Sequence, residues 1–173
     1  MSAALVIEKG NHYDNRLFSS FPFLGKKEFK KTVEFTASCA YTLPDYNSLD
    51  ISKLYGASFG FLAIHKHSAR FGWRYSRSEG KIELLAYVYD KGTRNWDAQL
   101  RFPVVAAVAI GEAVECSIKV TPTDYVFHVT KGDETLGQLV AVPHSTIPTW
   151  GLTASLYFGG ELPAPSTIYV FMS

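Results

Sequence analysis

Ala69-Arg70-Phe71-Gly72-Trp73-Arg74-Tyr75-Ser76 and Lys81-Ile82-Glu83-Leu84-Leu85-Ala86-Tyr87-Val88-Tyr89-Asp90 are two alternating runs, separated by Arg77-Ser78-Glu79-Gly80. In the first run the odd positions are apolar or aromatic, and the even ones include Arg70, Gly72 and Arg74. In the second the even positions Ile82, Leu84, Ala86 and Val88 are apolar, and the odd ones include Glu83, Tyr87 and Tyr89. A period of two is the mark of a strand with one buried face. Closing the loop over Arg77–Gly80 pairs Ser76 with Lys81. Trp73 then meets Leu84 and Phe71 meets Ala86 on one face, while Arg74 meets Glu83 and Arg70 meets Tyr87 on the other. A slip of one residue would spoil both faces at once, so the register is strongly specified.

The same period continues outward. Glu28–Ala37, Ser58–Ile64, Val104–Ile110, Ala113–Thr121, Tyr125–Thr130, Leu136–Val142, Leu152–Phe158 and Thr167–Phe171 are rich in Val, Ile, Tyr, Phe and Thr, which suit a pleated, half-buried surface. Turn residues punctuate them at Asp90-Lys91-Gly92, Thr121-Pro122-Thr123-Asp124 and Lys131-Gly132-Asp133-Glu134,. Short strands at this spacing, almost without helical period, predict an all-β fold, a two-sheet antiparallel sandwich or jelly roll. One helical turn is expected over Asp50-Ile51-Ser52-Lys53-Leu54-Tyr55, with Asp50 as its N-cap. Residues 28–173 read as a single sandwich domain and residues 1–27 as an N-terminal arm. Within the arm Phe18, Phe21 and Phe23 follow no period, so it is expected to lie on the sandwich or on a neighbouring subunit.

Composition removes several classes of function. A length of 173 residues leaves no room for a second sizeable domain,. A net charge of +1 gives no general pull toward nucleic acid or an acidic membrane,. No apolar run approaches the roughly 18 residues of a spanning helix. Met1-Ser2-Ala3-Ala4-Leu5-Val6-Ile7 is too short for a secretory segment and lacks a basic start, so synthesis in the cytoplasm is expected. Cys39 and Cys116 fit no zinc spacing and read as buried thiols on strands.

Chemistry concentrates on the polar face of the hairpin. Arg70, Arg74, Glu83, Tyr87 and Tyr89, with His65 and His67 at the rim, form the candidate ligand site. Guanidinium groups offer planar paired donors to hydroxyl or acid oxygens, and phenol rings offer flat faces to sugar C–H groups. The set therefore suits a glycan, and the run Lys66, Arg70, Arg74, Arg77, with no acid between them, suits an anionic glycan or a phosphate. Ordinary cross-strand pairing explains the same residues without any ligand.

Catalysis is less well served. Glu83 is the only acid inside its strand, which leaves a two-carboxylate glycosidase without its partner. A polysaccharide lyase needs a Tyr or His base beside a cation that neutralises a uronate, and Tyr87, His65 or His67 with Arg70 could supply it. His65 and His67 share a strand face but lack a third metal ligand. Asp45, Asn47 and Asp50 could hold Ca²⁺ in a loop, though their spacing fits no strict calcium loop and turn-forming Asx residues explain them. No cofactor is otherwise expected.

Asp50-Ile51-Ser52-Lys53-Leu54-Tyr55-Gly56, Phe59-Gly60, Ser68-Ala69-Arg70-Phe71-Gly72-Trp73-Arg74, Lys81-Ile82-Glu83, Ala86-Tyr87, Phe158-Gly159-Gly160 and Pro163-Ala164-Pro165 together resemble a poorly characterised family of bacterial and phage-associated β-sandwich proteins. The Ser68–Arg74 run is the specific part of the likeness, and Phe61 to His67 departs from it, with His67 where Asn is usual. The resemblance implies a concanavalin-A-like jelly roll. Three functions stay open: a non-catalytic glycan-binding module, a structural or receptor-binding virion protein that oligomerises through the arm, and a lyase or hydrolase. The partners are accordingly a glycan or further subunits, with no nucleic acid and no membrane span.

Overall fold

The computed structural model describes residues 4–16, 20–60, 64–95 and 102–173. Fourteen strands are formed among them: β1 (Ala4–Ile7), β2 (Pro22–Leu24), β3 (Glu28–Phe35), β4 (Ser52–Phe59), β5 (Ser68–Ser76), β6 (Lys81–Asp90), β7 (Thr93–Arg94), β8 (Val104–Val108), β9 (Ala113–Val120), β10 (Asp124–Lys131), β11 (Glu134–Thr135), β12 (Val140–Pro143), β13 (Trp150–Ala154) and β14 (Ile168–Met172). They build two antiparallel sheets. One runs β1-β14-β3-β9-β10-β11, with β12 also on β10; the other runs β2-β13-β4-β5-β6-β7, with β8 also on β6. No helix among the described residues is long and apolar enough to cross a membrane.

The two sheets close on an aromatic core. Phe35 of one sheet meets Trp73 of the other at 5.1 Å between ring centres, Phe127 meets Phe71 at 5.2 Å, and Tyr125 meets Phe59 at 5.4 Å. Each pair bridges the roughly 10 Å between stacked sheets. The β5–β6 hairpin has the register that the alternation demands: Ser76 opposite Lys81, Arg74 opposite Glu83, Trp73 opposite Leu84, Phe71 opposite Ala86 and Arg70 opposite Tyr87. Cys39 and Cys116 are buried free thiols, and burial pushes the Cys39 thiol up to about 12, where it is inert.

One expectation fails because pairing between neighbouring strands overrides local pattern. The segment Asp50–Tyr55 is not a helical turn. From Ser52 onward it is β4, hydrogen-bonded to β5 on one side and β13 on the other. Asp50 caps no helix; its carboxylate accepts from the Asn47 amide at 2.8 Å, closing a short turn over Asp45–Asn47. The N-terminal segment, expected to lie on the sandwich or on a neighbouring subunit, gives each sheet an edge strand. β1 pairs with β14, and β2 pairs with β13. Phe23 packs on Phe29 and Phe59 inside the sandwich, while Phe21 is 57% exposed. Phe18 lies outside the described residues.

Further strand bounds shift as well. The stretch Ser58–Ile64 begins earlier, as β4 ends at Phe59, and residues 61–63 lie outside the description. Leu136–Val142 is only in part strand, as β12 begins at Val140.

Candidate functional site

Cross-strand register on the outer face of the second sheet builds the site. Ala154 lies opposite Gly56, Gly56 opposite Arg70, and Arg70 opposite Tyr87. That row spans three interstrand steps of about 4.8 Å, or roughly 14 Å. Two small residues leave one half of it hollow. A Cβ at Gly56 would stand 2.1 Å from the Ala69 carbonyl oxygen and 2.6 Å from the Arg70 Cα, so no larger residue fits between β5 and β13. The pairing shifts register between Lys53 and Tyr55, a bulge that re-aims the strand. Leu54 and Tyr55 both turn into the core, and the Tyr55 hydroxyl donates to the carbonyls of Phe29 and Cys116 on the opposite sheet. Lys53 then lies on the outer side, beside Arg70.

The result is a cleft of about 410 Å³, lined by Lys53, Arg70, Tyr87, His65, Tyr13 and Tyr157 among others. Its wall comes from the chain ends. Tyr13 bridges to Tyr157, with ring centres 5.1 Å apart, and His12 stacks on Tyr157 at 5.5 Å. Lys53 and Tyr157 exchange backbone hydrogen bonds of 2.8 and 2.9 Å. Gly159 and Gly160 let that wall come close, since a Cβ on either would strike Ile51 or Asp50. Behind Tyr87 a small second core of Ile51, Leu85 and Phe102 fills the outer face, with Phe102 stacked on Tyr87 at 4.3 Å.

The described lining of the cleft carries Lys53 and Arg70 and no acid, with Asp50 acting on Lys53 from outside it. Arg70 is only 6% exposed, yet its Nε and Nη2 are buried without a hydrogen-bond partner among the described residues. Its guanidinium carbon lies 4.8 Å from the centre of the Tyr87 ring, and the Lys53 ammonium lies 4.9 Å from the same ring. Lys53 is also 5.7 Å from the Tyr157 ring and donates to the Ile51 carbonyl at 2.8 Å. Burial, then the nearby Arg70 charge, pulls the Lys53 amine from 10.5 to about 8. Burial likewise lowers Arg70 and raises the Tyr87 phenol. None of the described residues lining the cleft is acidic. Buried cations are normally matched by a carboxylate; no described lining residue supplies one to Arg70, and half-buried Lys53 beside it feels the Asp50 carboxylate from outside the lining.

The seven residues singled out from the sequence separate into three places. Arg70, Tyr87 and His65 line the cleft, and Tyr89 adjoins it, 5.2 Å from the His65 ring and 5.9 Å from Tyr87. Arg70 and Tyr87 are buried rather than displayed on an open face, because the Tyr13–Tyr157 wall and Phe102 cover that part of the sheet. Arg74 and Glu83 pair with each other, Nε to Oε2 at 2.5 Å, in a separate depression with Tyr41, Asp45 and Arg77. His67 turns from the cleft to the Asp90 carboxylate at 3.2 Å, which also accepts from Ser145 at 2.6 Å. Asn47 and Asp50 are joined by turn hydrogen bonds, while the Asp45 carbonyl accepts from Ser48. No group of three metal-ligating side chains of the His, Cys, Asp or Glu type occurs among the described residues.

Lys53, Tyr13 and Tyr157 were not among the sequence candidates. The usable signal was the glycines: Gly56 and Gly159-Gly160 mark close backbone approaches that hollow the cleft and bring its wall over Lys53.

No protein-family model matches the chain, and no curated protein does. Solved structures do. An alginate lyase, vAL-1, from a Chlorella virus superposes with a TM-score of 0.51 at 13% identity, over 98% of this chain and 81% of that one. A functionally unknown protein from Saccharomyces cerevisiae superposes with a TM-score of 0.58 at 10% identity, over 98% and 82%. The fold is a jelly-roll β-sandwich. At these identities the likeness extends to the fold alone.

Proposed function

We propose that the chain binds an acidic glycan, a sugar chain bearing carboxylates, in the cleft over Arg70 and Lys53. One observation carries the reading: buried Arg70 and half-buried Lys53 share a cleft with no acid among its described lining residues, and two nitrogens of Arg70 have no hydrogen-bond partner among the described residues. A carboxylate would satisfy those donors and restore charge balance, and the phenol faces of Tyr13 and Tyr157 would take sugar C–H surfaces. Neutral sugars would leave the cations unmatched. Titration calorimetry with oligomers of alginate, polygalacturonate and hyaluronan, against dextran and cello-oligosaccharides, tests this. Binding of at least one acidic set, lost in Arg70→Met, is the expected result. Binding only of neutral sugars, or of none, would sink the proposal.

A second reading adds chemistry at the same site. Lys53 lies between the rings of Tyr87 and Tyr157 with His65 nearby, which places cations and proton-exchanging groups together. In a β-elimination the cations would hold the uronate carboxylate and acidify the C5–H bond. A base would remove that proton, and the C4–O bond would break with its electron pair leaving on the departing sugar oxygen, which takes up a proton. The product is an unsaturated uronate, visible by its ultraviolet absorbance. One structure of this fold is an alginate lyase, so alginate is the first polymer to try. Acidic-glycan binding with no rise in absorbance would leave binding as the whole function.

A further inference from the structure

We infer that the bound chain continues beyond the Arg70 cleft, past Ala154 and Ser155, into a second cleft rimmed by lysines, so that the ligand is a polyanion of several charged units. The inference rests on the acidic-glycan reading of the first cleft. The second cleft has a volume of about 350 Å³, and Ala154 and Ser155 line both. It lies where β2 and β13 stand over β3. Arg16, Lys26, Lys30 and Lys31 line it, and none of the described lining residues is acidic.

The ledge between the clefts is built to present positive charge. Asp14 accepts from Arg16, through Nε and Nη2 at 3.1 Å each, and from the Ser155 hydroxyl at 2.7 Å. The Asp14 side chain is 2% exposed and that of Arg16 36%. The acid is thus hidden and the guanidinium faces out. Lys30 is paired with Glu115 at 2.8 Å. Lys26 rests over the Phe29 ring at 5.3 Å, and no ion pair engages Lys26 or Lys31 among the described residues. Phe21, 57% exposed at the same cleft, offers a flat apolar face of the kind sugar rings lie on.

Lysines on an open strand edge also discourage unwanted pairing. β3 does run past its last partner on that side, where Thr32 and Ser173 exchange backbone hydrogen bonds. That explanation reaches Lys30 and Lys31. It does not reach Arg16, Lys26 or Phe21, which lie off β3.

The test compares oligomer lengths. Alginate, polygalacturonate and hyaluronan di- and octasaccharides are titrated calorimetrically into the wild type, Lys26→Gln/Lys31→Gln and Arg70→Met, each checked for an unchanged melting curve or a higher one. The inference expects the wild type to favour the octasaccharide. The double lysine variant should lose roughly tenfold for the octasaccharide and nothing for the disaccharide. Equal wild-type affinity for both lengths, or a lysine variant that binds the octasaccharide as the wild type does, overturns the continuation while Arg70→Met still reports on the first cleft. If no acidic oligomer of either length binds the wild type, the first-cleft reading falls and the continuation falls with it.

Discussion

Replacing Arg70 by methionine should make the protein more stable and less able to bind. The wild-type guanidinium is 6% exposed, and two of its nitrogens have no acceptor among the described residues. Each unmatched buried donor costs about 1–3 kcal/mol. The compensation on hand is the stacking over Tyr87 at 4.8 Å, worth about 0.5–2 kcal/mol. Methionine keeps the length of the aliphatic stem and fills the same channel between Gly56 and Tyr87. Two such donors cost about 2–6 kcal/mol, so the balance is a gain of about 1.5–4 kcal/mol, or roughly 3–16 °C in melting temperature for a domain of this size. Urea unfolding with an unchanged slope, alongside thermal melting, measures it. Stability held in reserve against function is the pattern expected of a binding site. A less stable Arg70→Met would refute the reasoning, because Arg70 would then be an internal brace with partners of its own.

Other outcomes follow from the same geometry. With Lys53 at about 8 in the fold against 10.5 in the free amine, the unfolded chain binds more protons between those values. Stability should therefore rise as pH goes from about 8 to 10.5, by up to about 3 kcal/mol, and Lys53→Met should flatten that rise in urea unfolding. Acidic-glycan affinity should move the opposite way, weakening as pH climbs through 8 while Lys53 loses its charge; a flat calorimetric profile would remove Lys53 from the site. Glu83→Gln should cost about 1–3 kcal/mol in urea unfolding, because it strands Arg74 in a pair whose side chains are only 14% and 16% exposed,, yet leave glycan affinity intact. Gly56→Ala should cost about 3 kcal/mol or more, since its Cβ would collide with the Ala69 carbonyl,; a melting curve like that of the wild type would show that the strands have room to part.

Much of the fold could be read from residues because strands announce themselves on both faces. The β5–β6 register followed from Trp73, Phe71, Arg74 and Glu83 alone, as both faces had to agree. The site was legible only in part. Arg70, Tyr87, Tyr89 and His65 were found because they sit on or beside that hairpin. Lys53 was missed because the β4 bulge turns Leu54 and Tyr55 inward together, which breaks the alternation and imitates a helical turn. Tyr13 and Tyr157 were missed because the wall they form joins segments 144 positions apart, and no local period encodes such a contact. Arg74 and His67 share the chemistry of the site residues; only coordinates reveal that Glu83 and Asp90 already occupy them.

The most direct measurement is a crystal structure of the protein with an acidic oligosaccharide selected by calorimetry. The sugar should lie across β13, β4, β5 and β6, with a carboxylate within hydrogen-bond distance of the Arg70 guanidinium and the Lys53 ammonium. A sugar seated instead in the depression of Arg74 and Glu83, or one that leaves Arg70 without a partner, would contradict the assignment of the cleft.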